Sequence, residues 1–101
     1  MWVMVFFDLP TETKTDKKNA SDFRKNLQKD GFSLFQYSIY VRYCASKENA
    51  EVHTERVKKI LPRKGQVSIM TITDKQFASI INFECKAIKQ PLMGGQQLEM
   101  F

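Results

Sequence analysis

The sequence predicts an α+β domain of the ferredoxin-like βαββαβ type with an extra C-terminal strand, and three observations predict it. The chain opens on six apolar residues, Trp2-Val3-Met4-Val5-Phe6-Phe7, ended by Asp8 and, two residues later, by Pro10. Two stretches with helical spacing, ending near Asp30 and before Pro62, alternate with segments rich in aromatic and β-branched residues. The resulting order is strand, helix, strand, strand, helix, strand, which is the split βαβ arrangement. At 101 residues and 11.8 kDa the chain has room for one domain.

The first strand is apolar on both faces, since Val3, Val5 and Phe7 alternate with Met4 and Phe6. A strand with one wet face would alternate polar with apolar, so both faces of this sheet should be covered. Thr11 to Lys18 is polar and lysine-rich and reads as a loop or a first helical turn. The helix that follows to about Asp30 carries Ala20, Phe23 and Leu27 inward. Gly31 is its left-handed stop, and Phe32 is placed to touch Leu27. On the outside Lys18, Lys25 and Lys29 form one stripe with Arg24 beside it.

Phe32 to Cys44 is too poor in helix formers to be helical and too long for one strand, so Gln36-Tyr37-Ser38 is read as the reversal between two antiparallel strands. Ser46 is the expected N-cap of the second helix, with Ala50, Val57, Ile60 and Leu61 on its apolar face. His53 lies on that same face, where a lone histidine reads as a hydrogen-bonded core or interface group. Gln66 to Ile72 should be a strand, Thr73 to Gln76 a turn, and Phe77 to Cys85 a further strand. The expected domain is residues 1–85, with 86–101 as a tail or extra strand that docks on a partner subunit.

Composition narrows the function classes. The balance of 43% hydrophobic and 27% charged residues is that of a soluble globular domain. No apolar run is long enough to span a bilayer and no signal-peptide pattern opens the chain, so a cytoplasmic location is expected. Cys44 and Cys85 lack neighbours at metal spacing and are expected as buried free thiols. The net charge of +5 favours a polyanionic partner. Glycine-rich phosphate loops, nucleophile elbows and paired zinc ligands are all missing, which leaves hydrolase and nucleotide-cofactor readings without parts. Tyr37, Tyr40 and Tyr43 suit base stacking in a single-strand RNA binder, but no RNP1-like pattern accompanies them.

The two helices should share one sheet face, leaving the other bare. The cover available to the bare face is the extra C-terminal strand or a second copy, and a homodimer packed sheet to sheet is the economical answer. Asp8 would then sit near its own copy. Magnesium commonly uses one or two carboxylates, waters and substrate phosphates, so a single aspartate per chain suffices once doubled or bound to nucleic acid. A local role for Asp8, accepting a backbone N–H near Thr11, competes with this. Lys14, Lys17 and Lys18 lie close in sequence and suit sequence-blind phosphate contacts.

Phe7-Asp8-Leu9-Pro10, Phe23-Arg24-Lys25-Asn26-Leu27, Gly31-Phe32, Gln36-Tyr37-Ser38-Ile39-Tyr40-Val41-Arg42, Lys64-Gly65-Gln66-Val67 and Ile72-Thr73-Asp74-Lys75-Gln76-Phe77, in that order and spacing, resemble the CRISPR-associated protein 2 family. The look is closest to forms that accompany type II systems. The resemblance implies a homodimer that joins CRISPR integrase subunits and lies against double-stranded protospacer DNA, as scaffold and DNA-binding subunit of spacer acquisition. It also implies a catalytic, metal-binding aspartate, matched by Asp8, with magnesium or another divalent cation for endonuclease activity. Lys14, Lys17, Lys18, Arg24 and Lys25 are the expected nucleic-acid contacts, although family members often carry arginines after strand one where this chain has lysines. The alternative is a stand-alone metal-dependent endoribonuclease of a toxin-like family.

Overall fold

The computed structural model describes residues 1–85. Its elements run β1 (Trp2–Asp8), α1 (Lys14–Lys29), β2 (Ser33–Gln36), β3 (Ile39–Tyr43), α2 (Lys47–Lys59), β4 (Gln66–Ile72) and α3 (Asp74–Ala78). The four strands form one sheet in the order β2-β3-β1-β4, with every neighbouring pair antiparallel. This is the expected α+β, ferredoxin-like arrangement, with the most apolar strand between two partners.

Each boundary has a local cause. Thr13 caps α1 through a capping box, its hydroxyl accepting from the Asp16 amide at 3.0 Å while the Asp16 carboxylate accepts from the Thr13 amide at 3.3 Å. The other end is a Schellman turn: Phe32 N–H donates to the Leu27 carbonyl and Gly31 N–H to that of Gln28, both at 3.0 Å, with Gly31 at φ 91°. Both Leu27 and Phe32 are buried, as the sequence indicated. Ser46 caps α2 by accepting from the Asn49 amide at 3.0 Å. Between β2 and β3 the chain reverses through Ser38 at φ 66°, a left-handed residue standing where a glycine or asparagine would be easier.

Period two sorts the sheet. Val3, Val5 and Phe7 of β1 face the helices with Tyr40 of β3, and they pack on Phe23 and Leu27 of α1 and on Ala50 and Val57 of α2. Phe7 meets Phe23 edge to face at 5.1 Å and stacks near Tyr40 at 5.8 Å. Each such fully buried side chain contributes about 1.5–3 kcal/mol relative to exposure. Cys44 is buried as expected, whereas Cys85 is exposed. Leu61 also turns out half-exposed, because α2 ends at Lys59 before it can face inward.

The opposite face departs from the sequence reading. Thr73 to Gln76, expected as a turn, opens a helix, and Phe77, expected to start a strand, belongs to that helix. The reason is a second capping box: Thr73 Oγ1 accepts from the Gln76 amide at 3.1 Å, and the Gln76 side chain accepts from the Thr73 amide at 2.9 Å. Residues 79–85 form no strand in the described chain, and Ile81 and Phe83 are exposed. The expected tail, 86–101, lies outside the described residues. Helix α3 folds back so that Phe77 stacks on Trp2 at 3.8 Å and lies 5.8 Å from Phe35. The chain therefore covers the Trp2 end of this face with a helix, and Met4 and Val41 are buried.

Because Trp2 is the single tryptophan, the α3 contact has a direct optical readout. Phe77→Ala should red-shift the emission and lower stability by about 1–2 kcal/mol. A spectrum identical to wild type would show that α3 does not cover Trp2 in solution.

Candidate functional site

Asp8 occupies the last position of β1, opposite Gln66 of β4. Alternation along the strand sends its carboxylate to the face away from the two long helices, the side that Met4 and Phe6 share. It is exposed, and among the described residues no side chain or amide is hydrogen-bonded to it. The Thr11-to-Thr13 turn finds its partner in Asp16 instead, so the local capping role does not fall to Asp8. Its backbone is held closely: a Cβ on Gly65, which has φ 98°, would lie 2.6 Å from the Asp8 carbonyl oxygen. Gly65 therefore allows β4 to start directly beside the strand-end acid.

Around Asp8 is a shallow, open concavity of about 290 Å³ lined by Phe6, Phe7, Ser38, Ile39, Gln66 and Ser68. Phe6 and Ile39 are half-buried, so the floor of the concavity is apolar and, among the described residues, uncovered. The rim offers one carboxylate plus the oxygens of Ser38, Gln66 and Ser68. Hard oxygen donors of this kind suit magnesium, and they amount to a fraction of a site. Among the described residues no group of three or more His, Cys, Asp or Glu side chains could hold a metal ion.

The basic residues divide into two sets. Lys14, Lys17 and Lys18 lie on the first turns of α1, the helical one of the two alternatives the sequence left open, because Thr13 caps the helix there. At 100° per residue Lys14, Lys18, Lys25 and Lys29 fall within about 60° of one another and span about 22 Å along the axis. All four are exposed. Lys18 donates to Asp22 at 2.9 Å, and that hydrogen bond holds the Asp22 carboxyl below the usual carboxylate range. Lys17 and Arg24 lie on a separate line of the helix. Arg24 is half-buried, with its guanidinium carbon 5.2 Å from the centroid of Phe7 and 5.2 Å from that of Tyr37. It does not stand beside the lysine stripe.

Of the three tyrosines, Tyr40 is buried in the core and cannot meet a base. Tyr43 is half-exposed beside Trp2, at 5.4 Å, and Tyr37 is 81% exposed at the reversal.

A polar cluster that the sequence reading did not assemble ties α1 to α2. Asp30 accepts from His53 Nδ1 at 2.8 Å and from Arg56 at 2.9 Å, while Arg42 Nε donates to the Asp30 carbonyl at 2.7 Å. His53 is buried, in keeping with a structural role. Burial pushes the Asp30 carboxyl up, but the hydrogen bonds from His53 and Arg56 outweigh it and leave the group below its ordinary value. Aspartate, histidine and two arginines come from three elements, and only the fold brings them together.

Residues 1–80 match the family model described as CRISPR associated protein Cas2. The chain belongs to the Cas2 family. It is 54% identical over its whole length, and 88% of the relative's, to the CRISPR-associated endoribonuclease Cas2 of Flavobacterium psychrophilum. To the protein of that name from Parvibaculum lavamentivorans it is 46% identical over the full length of both. The crystal structure of Streptococcus pyogenes Cas2 superposes with a TM-score of 0.61 at 19% identity, covering 83% of this chain and all of that one, which shows the shared fold. No helix of the described residues is long and apolar enough to cross a membrane.

A lowered carboxyl in the folded state stabilises the protein above the ordinary carboxylate value of about 3.9, and that contribution is lost as pH falls through the lower folded value. Asp30→Asn should cost about 1–3 kcal/mol at neutral pH and flatten the acid limb of the stability curve. Urea midpoints measured from neutral pH downward check this; an unchanged acid limb would remove Asp30 from the account.

Proposed function

We propose that this Cas2-family chain acts as a homodimer, as scaffold and duplex-DNA-binding subunit of the complex that acquires CRISPR spacers together with the integrase subunit. Cleavage of phosphodiesters at Asp8 is a secondary activity in this reading. The observation that carries it is the lone exposed Asp8 at the rim of an apolar sheet face that α3 covers at one end only. Met70, Ile81 and Phe83 add exposed apolar surface among the described residues. A second copy packed sheet to sheet would bury that surface and bring two Asp8 carboxylates toward one axis.

The same packing turns the helices outward. Each protomer would then present the stripe of Lys14, Lys18, Lys25 and Lys29 to solvent, spanning roughly two-thirds of a 34 Å turn of B-DNA. Lysine ammonium groups hold phosphates as point charges, which suits a sequence-blind grip on a protospacer. A scaffold needs no more chemistry than this.

Where cleavage occurs, a divalent cation supplies water activation and neutralisation of phosphate charge. Asp8 would hold it from each chain, with oxygens of Ser38, Gln66 and Ser68 near enough to bind its water shell. The names of the Flavobacterium and Parvibaculum relatives favour RNA as the strand cut. A stand-alone ribonuclease is the second reading, and the exposed, unpartnered Asp8 is what favours it.

Light scattering should give the mass of a dimer for wild type and for Asp8→Asn, and of a monomer for Met70→Glu. Asp8→Asn should lose any magnesium-dependent cleavage of RNA or DNA yet still support spacer insertion with the integrase subunit. A monomeric wild type, or insertion lost with the dimer intact, would overturn the scaffold reading. For the basic face, replacing Lys14, Lys18 and Lys25 by Gln should shallow the slope of log K against log salt for duplex DNA by about 2–3. An unchanged slope would place the duplex elsewhere.

A further inference from the structure

Arg24 is the cation of α1 that lies against aromatic rings, its guanidinium carbon 5.2 Å from the centroid of Phe7 and 5.2 Å from that of Tyr37. A guanidinium set against an aromatic face keeps N–H groups along its edge for hydrogen bonding. Among the described residues no carboxylate lies within ion-pair distance of it, in contrast to Arg56, which is paired with Asp30. A planar cation with a free edge matches a phosphate, which it can engage through two parallel hydrogen bonds.

Tyr37 provides the other half. One of its faces lies toward Arg24, and the side chain is nevertheless 81% exposed, so its second face is open to solvent. The adjacent Ser38 adopts φ 66°, a conformation costly for a residue with a side chain. The Ser38 carbonyl accepts from the Phe7 amide at 3.1 Å, which fastens the reversal to β1 one residue before Asp8. An exposed aromatic face beside a phosphate-matched cation fits a nucleotide. Lys17 continues the line, seven residues earlier on the same side of α1 and about 10 Å along its axis.

We propose that Tyr37 and Arg24 form a contact site for an unpaired nucleotide, with the base stacked on the outer face of Tyr37 and its phosphate on the edge of Arg24. The proposal rests on the nucleic-acid reading above and deepens it. A base inside a duplex hides both of its faces in the stack, whereas an unpaired one presents a face to any exposed ring. The lysine stripe and this site thus answer to different parts of a nucleic acid: one to the duplex backbone, the other to a frayed end or a single strand.

The test compares a short labelled single strand with a blunt duplex of the same sequence, by fluorescence anisotropy on the full chain. Tyr37→Ala should weaken single-strand binding about tenfold and leave duplex binding unchanged, while Tyr37→Phe, which keeps the ring, should behave as wild type. Arg24→Lys keeps the charge without the planar edge and should weaken the single strand alone. A strand carrying 5-iodouracil should crosslink to Tyr37 on irradiation, a result that a merely structural tyrosine would not give. The proposal falls if Tyr37→Ala binds the single strand as wild type does, if single strand and duplex weaken together, or if crosslinks map elsewhere. Those results would leave the duplex reading intact provided the lysine variants still shallow its salt slope. Wild type that binds neither nucleic acid would remove both readings.

Discussion

The rest of the molecule depends on a strand that must be dry on both sides. β1 sits between β3 and β4 with all of its neighbours antiparallel, and its two faces are Val3, Val5 and Phe7 on one side and Trp2, Met4 and Phe6 on the other. The first set is answered by two helices. The second is answered by α3 at the Trp2 end and, among the described residues, by no element at the Asp8 end. Asp8 therefore stands where the apolar strand runs out and where the cover supplied by the described residues also runs out. A carboxylate placed there is accessible because it is at the rim.

Charge follows the same division of faces. Helix α1 packs inward through Ala20, Phe23 and Leu27, and this fixes its lysines on the outside. Four lysines in one stripe repel one another and cost the helix stability, more so near its N-terminus, where the macrodipole is positive. The Lys18–Asp22 pair and the Asp16 capping box offset part of that cost. The remaining cationic surface is the sort of local conflict expected at a functional face. By contrast Asp30, His53, Arg42 and Arg56 satisfy one another, and the cluster serves to lock the two helices and β3 in register.

Arg24 shows how a residue can change meaning between sequence and structure. Read by helical spacing alone, it was one more cation next to a lysine stripe. In the fold it lies on another line of α1, with its guanidinium carbon 5.2 Å from the ring centroids of Phe7 and Tyr37. Tyr37 likewise separates from Tyr40: three residues apart in sequence, one is at the tip of a reversal and the other is buried under Phe7.

What the sequence determined by itself was whatever depends on near neighbours. The period of the apolar residues set the order of β1 to β4 and the two long helices. Gly31 with Phe32 and Leu27 encoded a Schellman turn, Ser46 encoded a cap, and the position of Asp8 at a strand end could be read directly. The reading failed at Phe77 to Cys85, where alternating apolar residues suggested a strand. There the Thr73–Gln76 capping box turned the chain into a helix, and a stack on Trp2, seventy-odd residues away, rewarded it. Only tertiary structure could decide which face Arg24 meets, which tyrosine is buried and which acid gathers His53, because those contacts join elements whose distance in space no local spacing encodes. Local hydrogen bonds and periodicity are carried by adjacent residues, whereas burial is settled by what the whole chain leaves uncovered.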